Sequence, residues 1–394
     1  MIEQLFERLD SLYDEMIDIR RYLHENPELS FEEVHTPDYI ASFHENLGHE
    51  VQRSVGGNGV VSVLKGNKSG PKVALRADFD ALAIQEANQV AYKSKVDGVM
   101  HACGHDGHTA ILLGLAKALN KQQESLKGSV VFIHQHAEEK VPGGAKPMIE
   151  AGCLEGVDVI FGTHLKSDFP LGMIRYCSGP FMAAADSFQV NIKGKGGHGA
   201  RPHQAKDSIL IGSEIVSNLQ KIVSRGIDPL DNAVVSVGSF EAKNPFNVIA
   251  DSAVLSGTVR TFDEKIRDYI ENEIEQIVRG TCIAGGVNYE LTYDRGYPAL
   301  INHAEETMFL AENAQDVPGV EEVVEAKPMM GGEDYAYYLQ HVKGTYINTG
   351  AENPKWEDKK YHHHPKFDID ERALLIAAKV LGKTVLNYMK SYSQ

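Results

Sequence analysis

The chain has 394 residues, 42% of them hydrophobic and 24% charged, which is typical of a globular protein large enough to form two domains. Acidic residues outnumber basic ones by 55 to 39 and give a formal charge of −16, so the surface should repel phosphate backbones and we expect no nucleic-acid partner. The four cysteines are too scattered for a disulfide-stapled secreted domain, and no apolar run resembles a signal peptide or a membrane span. We therefore expect a cytoplasmic protein with no membrane partner.

The first part of the chain alternates between predicted helices and strands. Apolar residues at three- and four-residue steps from Ile2 to Leu23 predict one amphipathic opening helix. Short apolar runs predict buried strands over 72–75, 130–133 and 157–161, with a helix over 108–119. The alternation resumes later, with a helix predicted over 305–314, a strand over 344–348 and a long closing helix over 371–392. This pattern indicates an α/β fold in which helices flank a central sheet.

The pattern changes between Ala184 and Thr292. Strands are predicted over 187–193, 233–240, 248–262 and 288–293, with helices over 207–225 and 264–283. The order β-α-β-β-α-β is that of a ferredoxin-like α+β domain. We therefore predict an inserted domain at 184–292 and a larger, discontinuous domain formed by 1–183 and 293–394.

The densest chemical signal lies at residues 100–109, Met-His-Ala-Cys-Gly-His-Asp-Gly-His-Thr, which place one thiol and three imidazoles within eight residues. A thiolate and a neutral imidazole are good ligands for a divalent cation, so Cys103 and His105 are candidate metal ligands. The alternative is a set of buried helix-capping residues, which is weaker for the whole cluster than for any single histidine.

A second signal follows the strand predicted over 130–133, where Glu138 and Glu139 are adjacent. Functional loops of parallel sheets follow the carboxyl ends of strands, so one carboxylate could bind a metal while the other handles protons. A solvated acidic turn is the alternative for an isolated pair. The residues alone do not decide which glutamate has which role.

Further candidates lie at the ends of other predicted elements. His164 follows the strand over 157–161, and His363 precedes His364-Pro365, whose proline favours an extended chain just before it. Asp78 and Asp80 follow the strand over 72–75 and could bind metal, accept hydrogen bonds from ligating imidazoles or lie in a solvated loop.

Together these motifs resemble the metallopeptidase family that includes carboxypeptidase G, aminoacylase and peptidase T, and most of all its branch of hippurate hydrolases, N-acyl-amino-acid amidohydrolases and plant auxin-conjugate hydrolases. The resemblance runs nearly end to end. The matching segments are 76–82, 100–109, 138–139, 197–203, 247–249, 257–260, 331–335 and 363–365.

The resemblance implies a catalytic, metal-binding larger domain that cleaves the amide bond of small N-acyl amino acids. It implies two divalent cations, zinc or manganese, with nickel or cobalt also suited to such ligands. It implies that Glu138 is the general base that accepts a proton from the attacking water. The residues that it assigns to the two cations are Cys103, His105, Glu139, His164 and His363.

For the inserted domain, the resemblance implies a lid and dimerisation role, and hence a homodimer or higher homo-oligomer. His198 would stabilise the developing oxyanion, in its own subunit or in a partner. Asn247 and Arg260 would hold the substrate carboxylate, for which a guanidinium group is well suited. The residues alone favour a surface cation for Arg260.

Some positions depart from the family pattern. Asp78 stands where other branches have a metal-binding histidine, so we assign Asp78 and Asp80 to hydrogen bonds with the ligating imidazoles. Ala83 replaces a usual proline, and His364 adds an imidazole that competes with His363 as the ligand. Two alternatives remain: a hydrolase with Cys103 as nucleophile, and a non-catalytic protein that binds metal or ligand.

Overall fold

The computed structural model describes residues 1–392 and contains two compact units. The larger unit comprises Met1–Phe181, Ile301–Lys327 and the described chain from Asp334 onward. The smaller unit comprises Met182–Leu300 and Pro328–Glu333. The range 184–292 predicted for an inserted domain therefore lies inside the smaller unit.

The helices are numbered in chain order. They are α1 (Ile2–Ser11), α2 (Tyr13–Glu25), α3 (His35–Asn46), α4 (His105–Asn120), α5 (Ala145–Glu150), α6 (Ser208–Gly226), α7 (Glu264–Gly285), α8 (Ala304–Ala314), α9 (Ala336–Leu339) and α10 (Arg372–Ser391). Within residues 1–392, no helix combines the length and apolarity needed to cross a lipid bilayer.

The strands are numbered in the same way. They are β1 (Glu50–Val55), β2 (Gly59–Lys65), β3 (Lys68–Asp78), β4 (Lys127–Gln135), β5 (Val159–Pro170), β6 (Met173–Tyr176), β7 (Gly179–Met182), β8 (Ala184–Lys193), β9 (Gly197–His198), β10 (Ala233–Glu241), β11 (Val248–Ile249), β12 (Ser252–Thr261), β13 (Asn288–Arg295), β14 (Leu300–Asn302), β15 (Glu322–Glu325) and β16 (Lys343–Glu352).

The larger unit is built on a mixed sheet with the strand order β1-β2-β4-β3-β5-β16-β6-β15. Its centre is parallel, since β3 pairs in parallel with β4 and β5, and β5 with β16. Helices α4 and α10 pack on this sheet through an apolar core that includes Leu115, Phe132 and Leu381. The predicted α/β class, with a central mixed sheet flanked by helices, is confirmed.

The register of the central strands brings distant residues to one level. Arg76 of β3 pairs with Ile133 of β4 and with Gly162 of β5. Because side chains alternate with a period of two, the residues two positions further along each strand are also level: Asp78, Gln135 and His164. The chain leaves β3 and β4 at this level, so their following loops meet at one edge of the sheet.

The opening helix was predicted as one element, and this prediction is wrong. The chain forms α1 and α2, which are separated at Leu12. The Ser11 hydroxyl donates a hydrogen bond to the carbonyl of Arg8 at 2.7 Å, and the amide of Leu12 divides its hydrogen bond between the carbonyls of Arg8 and Leu9. Serine hydroxyls that bond back to the preceding turn weaken and bend helices.

The smaller unit contains an antiparallel sheet with the order β10-β12-β8-β13, on which α6 and α7 pack. The chain passes through β8, α6, β10, β12, α7 and β13, which is the predicted β-α-β-β-α-β order. One detail differs, because the strand predicted over 248–262 is divided into β11 and β12. The short strand β9 pairs with β11 and was not predicted.

Three histidines of the larger unit, His44, His49 and His134, form a hydrogen-bonded chain. The Nε2 atoms of His44 and His134 lie 2.9 Å apart, and the Nδ1 atoms of His44 and His49 lie 3.0 Å apart. Burial lowers the pKa of His134 to about 3. Burial, together with the rings of His134 and His49, also holds the pKa of His44 well below its usual range.

These lowered pKa values predict acid destabilisation of the larger unit. In the unfolded chain, a histidine becomes protonated as the pH falls below about 6.5. In the folded chain, His134 and His44 stay neutral until a much lower pH. The free energy of unfolding should therefore fall as pH drops from about 6.5 towards 3, by up to about 1.4 kcal/mol per pH unit for each histidine. Urea unfolding of the wild type and His134→Gln, followed at several pH values, measures this. The variant should show the shallower pH dependence, and equal slopes would contradict the assignment.

Candidate metal centre

The candidate site lies at the C-terminal end of β3 and the N-terminal end of α4. Gly104 precedes α4 with a φ of 94°, a left-handed conformation that suits glycine because it lacks a Cβ. This turn separates Cys103 from His105, the first residue of α4. Both side chains are buried.

The ring of His105 is held from one side. Its Nδ1 donates to Asp80, whose carboxylate Oδ1 lies 3.1 Å away and whose backbone carbonyl lies 3.0 Å away. A proton on Nδ1 leaves the lone pair on Nε2. Nε2 is buried, and among the described residues no group forms a hydrogen bond with it.

The surroundings of His105 favour a positive charge on this ring. Burial alone would lower its pKa, but the Asp78 carboxylate and the hydrogen bond to Asp80 outweigh that effect and hold the pKa well above the usual value. Either a proton or a metal ion at Nε2 would supply the positive charge that these two carboxylates stabilise.

Overlapping sets of potential ligands surround Cys103 and His105. Within each set the donor atoms all lie within 4.8 Å of one another. The sets are Cys103 with His105 and His164, Cys103 with Glu139 and His363, His105 with Glu138 and Glu139, and Asp78 with His105 and His108. The structure thus brings all five predicted metal ligands of the larger unit into one cluster together with Glu138.

His164 and His363 reach this cluster from opposite parts of the sequence. Nε2 of His164 lies 3.5 Å from the sulfur of Cys103, while its Nδ1 donates to the carbonyl of Leu165 at 2.8 Å. Nε2 of His363 lies 3.1 Å from Oε1 of Glu139. The proton on Nδ1 of His164 leaves its Nε2 lone pair facing Cys103, as a metal ligand requires.

The structure distinguishes His363 from its neighbour His364. His363 has a left-handed φ of 59°, and its amide donates to the carbonyl of Ala102 at 2.8 Å, which draws the residue towards the cluster. Nδ1 of His364 instead accepts the amide of Lys366 at 3.1 Å within its own loop. The geometry therefore favours His363 over His364 as a ligand.

His108 is a site residue that the sequence interpretation did not assign. Its Nδ1 donates to Asp78 at 2.5 Å, and its Nε2 accepts the amide of Leu165 at 2.9 Å. Both nitrogens are therefore occupied, and the ring fixes the backbone next to His164. The signal was present in the spacing, because His105 and His108 are three apart and share one face of α4.

Asp78 lies in a buried charge network that the sequence interpretation also missed. Arg76 donates to Asp78 at 2.5 Å and to Asp334 at 2.8 Å, and its Nε donates to the side chain of Gln135 at 2.9 Å. Burial would raise the pKa of Asp78, but Arg76 and the rings of His105 and His108 hold it well below its usual range. Asp78 and Asp80 thus each accept a hydrogen bond from an imidazole of α4.

The remaining predicted residues lie in the smaller unit. His198 is exposed on β9, where its Nδ1 accepts the amide of Ala200 at 3.1 Å. The backbone carbonyl of Asn247 accepts the amide of Gly199 at 2.8 Å, so Asn247 lies beside the β9 strand. His198 and Asn247 are therefore neighbours.

Arg260 lies elsewhere in the smaller unit. It contacts the Thr258 hydroxyl and donates to the backbone carbonyls of Val259 and Met330. The ladder of β8 and β12 separates it from Asn247, since Arg260 is near the end of β12 and Asn247 precedes its start. From Ser252, the first residue of β12, to Arg260, the strand alone is about 26 Å long at the usual rise per residue. Within one chain, the structure therefore does not bring Asn247 and Arg260 together around one carboxylate.

Comparison with known proteins gives relatives that cover most of the chain. Residues 74–387 match the sequence profile of the peptidase family M20/M25/M40. YhaA of Bacillus subtilis, which is named as an amidohydrolase, is 56% identical over 98% of both chains. The N-acyl-L-amino acid amidohydrolase of Geobacillus stearothermophilus is 47% identical over 77% of this chain and 82% of its own.

A solved structure of a similar protein points to the same family. The YXEP protein of Bacillus subtilis, described as a dinuclear metal-binding peptidase of the M20 family, is 36% identical, covers 97% of this chain and 99% of its own, and has a TM-score of 0.83. Both the sequence match and the shared fold thus extend over the candidate metal ligands. The chain therefore belongs to peptidase family M20/M25/M40 and is a hydrolase.

Proposed function

We propose that the larger unit binds two divalent cations and hydrolyses the amide bond of N-acyl amino acids. The observation that carries the proposal is the pair of overlapping ligand sets around Cys103, with Glu138 beside them. The amidohydrolase relative and the dinuclear relative support the reaction and the number of cations, respectively.

The residues present suit such cations. One set offers a thiol and two imidazoles, and the other offers the same thiol with a carboxylate and an imidazole. The chemistry of these donors fits zinc, and their nitrogen and oxygen atoms also suit manganese, nickel or cobalt. We propose zinc or manganese. A bound divalent cation would lower the pKa of a water molecule and polarise the substrate carbonyl.

Glu138 is the better candidate for the general base. Glu139 is 3.1 Å from His363 and shares a ligand set with Cys103, so it is placed to bind a cation. Glu138 is absent from both sets that contain Cys103, yet its Oε2 lies 4.0 Å from Nε2 of His105. We propose that Glu138 accepts a proton from the attacking water and delivers it to the leaving amine.

We propose that the smaller unit acts as a lid and dimerisation domain. His198 would donate to the developing oxyanion, and Asn247 and Arg260 would hold the substrate carboxylate. Because Asn247 and Arg260 lie at opposite ends of the β12 ladder, one copy cannot place both around one substrate. We therefore propose a homodimer in which one copy supplies Arg260 and its partner supplies His198 and Asn247.

The substrate class is tested with purified protein and a panel of N-acetyl, N-benzoyl and longer N-acyl amino acids, with the corresponding N-acyl amines as controls that lack the carboxylate. We expect hydrolysis of the acids and none of the amines. The oligomeric state of the preparation is measured by size-exclusion chromatography before the assay. An active monomer would contradict the proposal that two copies together form each substrate site. The whole proposal fails if no amide on the panel is cleaved.

Thiol alkylation tests the first alternative. Burial and the nearby Glu139 carboxylate raise the pKa of Cys103, which disfavours a free thiolate nucleophile. If Cys103 were the nucleophile, chelator-treated protein would remain active, and alkylation of that protein would abolish the activity. A protein that binds cations but cleaves nothing would support the non-catalytic alternative.

A further inference from the structure

The two adjacent glutamates of the site face the same way, which an extended strand does not allow. Along a strand, successive side chains point to opposite faces of the sheet. Yet Oε2 of Glu138 and Oε1 of Glu139 lie 4.0 and 3.9 Å from the same atom, Nε2 of His105. The chain is therefore not extended from Glu138 to Glu139, and both residues lie in the loop that follows β4.

Ala137 sets the direction in which this loop leaves β4. It follows the end of β4 and has a φ of 51°, in the left-handed region. This conformation costs free energy for any residue other than glycine, because Cβ approaches the following carbonyl. Ala137 is also fully buried, so its backbone groups cannot turn to water for hydrogen bonds. Something in the surrounding structure must hold this residue in place.

Glu33 supplies that contact. Its Oε1 accepts the backbone amide of Ala137 at 2.9 Å, and its other oxygen accepts the side-chain amide of Asn58 at 3.0 Å. Glu33 is 2% exposed, so its carboxylate is committed to these protein donors. On the other side of Ala137, its carbonyl accepts the amide of Gly144 at 3.1 Å.

The next part of the loop is held in the same way. Oδ2 of Asp80 accepts the backbone amide of Glu139 at 3.0 Å and the hydroxyl of Ser30 at 2.6 Å. Ser30 and Glu33 both belong to the segment between α2 and α3. This segment therefore supports both ends of the loop that carries Glu138.

We propose that Glu33 is a positioning residue for the hydrolysis. By holding the amide of left-handed Ala137, its carboxylate fixes the direction of the loop and so keeps Glu138 and Glu139 within reach of His105. The inference rests on the proposed function, because it concerns the base and a ligand of that site. Glu33 itself would contact neither the substrate nor a cation.

The kinetic test compares Glu33→Ala with Glu32→Ala, a matched change at the exposed neighbouring residue. Loss of such supporting hydrogen bonds typically costs 10–100-fold, so Glu33→Ala should lower kcat by about that factor with little change in KM. Glu33→Gln keeps an oxygen acceptor for Ala137 and should retain most of kcat. The control Glu32→Ala should match the wild type.

A second substitution separates positioning from a general loss of stability. Glycine adopts positive φ without the Cβ penalty, so Ala137→Gly introduced into Glu33→Ala should recover kcat by about fivefold. A purely structural role for Glu33 would lower the melting temperature without lowering kcat per folded, cation-loaded molecule. It would also give no recovery with glycine.

Cobalt binding gives a readout that needs no substrate. The Cys103 thiolate should give a ligand-to-metal absorption band, and Glu33→Ala should weaken cobalt binding by about tenfold because Glu139 is displaced. Wild-type kcat and cobalt affinity in Glu33→Ala would overturn the proposal. If the wild type cleaves no amide, the proposed function fails, whereas the cobalt titration still tests Glu33.

Discussion

Glu138→Gln is expected to lower kcat for N-acyl amino acid hydrolysis by about 1,000-fold, while KM changes little. The amide has nearly the size of the carboxylate, but it cannot accept the proton of the attacking water. Glu138 is 7% exposed, so few solvent molecules can replace it as a base. Steady-state kinetics on the substrate that the wild type cleaves fastest measure the change.

Glu139→Gln is the matched control, because it makes the same chemical change at the adjacent residue. Glu139 is placed with Cys103 and His363, so this variant should lose cation affinity and recover part of its activity at high cation concentration. Glu138→Gln should keep its cations and stay slow at any concentration. If both variants behave alike, the assignment of separate roles is wrong, and a kcat for Glu138→Gln within about tenfold of the wild type would exclude Glu138 as the base.

Arg76→Leu is expected to destabilise the larger unit by about 3–5 kcal/mol. The guanidinium is 2% exposed and pairs with the carboxylates of Asp78 and Asp334, both of which are completely buried. Removing the cation leaves two buried carboxylates without the guanidinium that they share, and this cost exceeds the gain from an apolar side chain. Urea unfolding measures the change.

Fluorescence is a suitable signal for this measurement because the single tryptophan, Trp356, lies in the larger unit. Arg53→Leu is the matched control, since Arg53 is 40% exposed and pairs with the exposed Asp38 and Glu45. Its loss should cost no more than about 1 kcal/mol. Equal unfolding free energies for the two variants would show that the buried network does not stabilise the fold.

Cys103 and His105 could be found in the sequence because their signal is local. They are two positions apart in a run of imidazoles, and that density alone suggested a metal. His164 stands alone and His363 lies in a run of three histidines. Their positions made them candidates, but only the family resemblance assigned them to the cations. The structure explains why single-residue reasoning was weak there: His164 lies in β5 and Cys103 in the turn before α4, so their 3.5 Å approach depends on the tertiary fold, which no local pattern encodes.

The supporting contacts were missed for the same reason. Glu33 and Ala137 are far apart in sequence, and nothing in either local pattern predicts a left-handed alanine. Arg76 and Asp334 lie in the family-matching segments 76–82 and 331–335, but their pairing depends on how the fold brings the end of β3 next to Asp334. Fold class was easier, because apolar periodicity is repeated over many residues and tolerates local errors such as the break at Leu12.

We propose above that amide hydrolysis depends on two cations held by Cys103, His105, Glu139, His164 and His363. The most direct measurement is the rate of N-acyl amino acid hydrolysis by chelator-treated protein as zinc or manganese is added back in known equivalents. We expect no activity before addition and a rise that saturates at two equivalents per chain. Full activity in the chelator-treated protein, with no measurable cation bound, would contradict it.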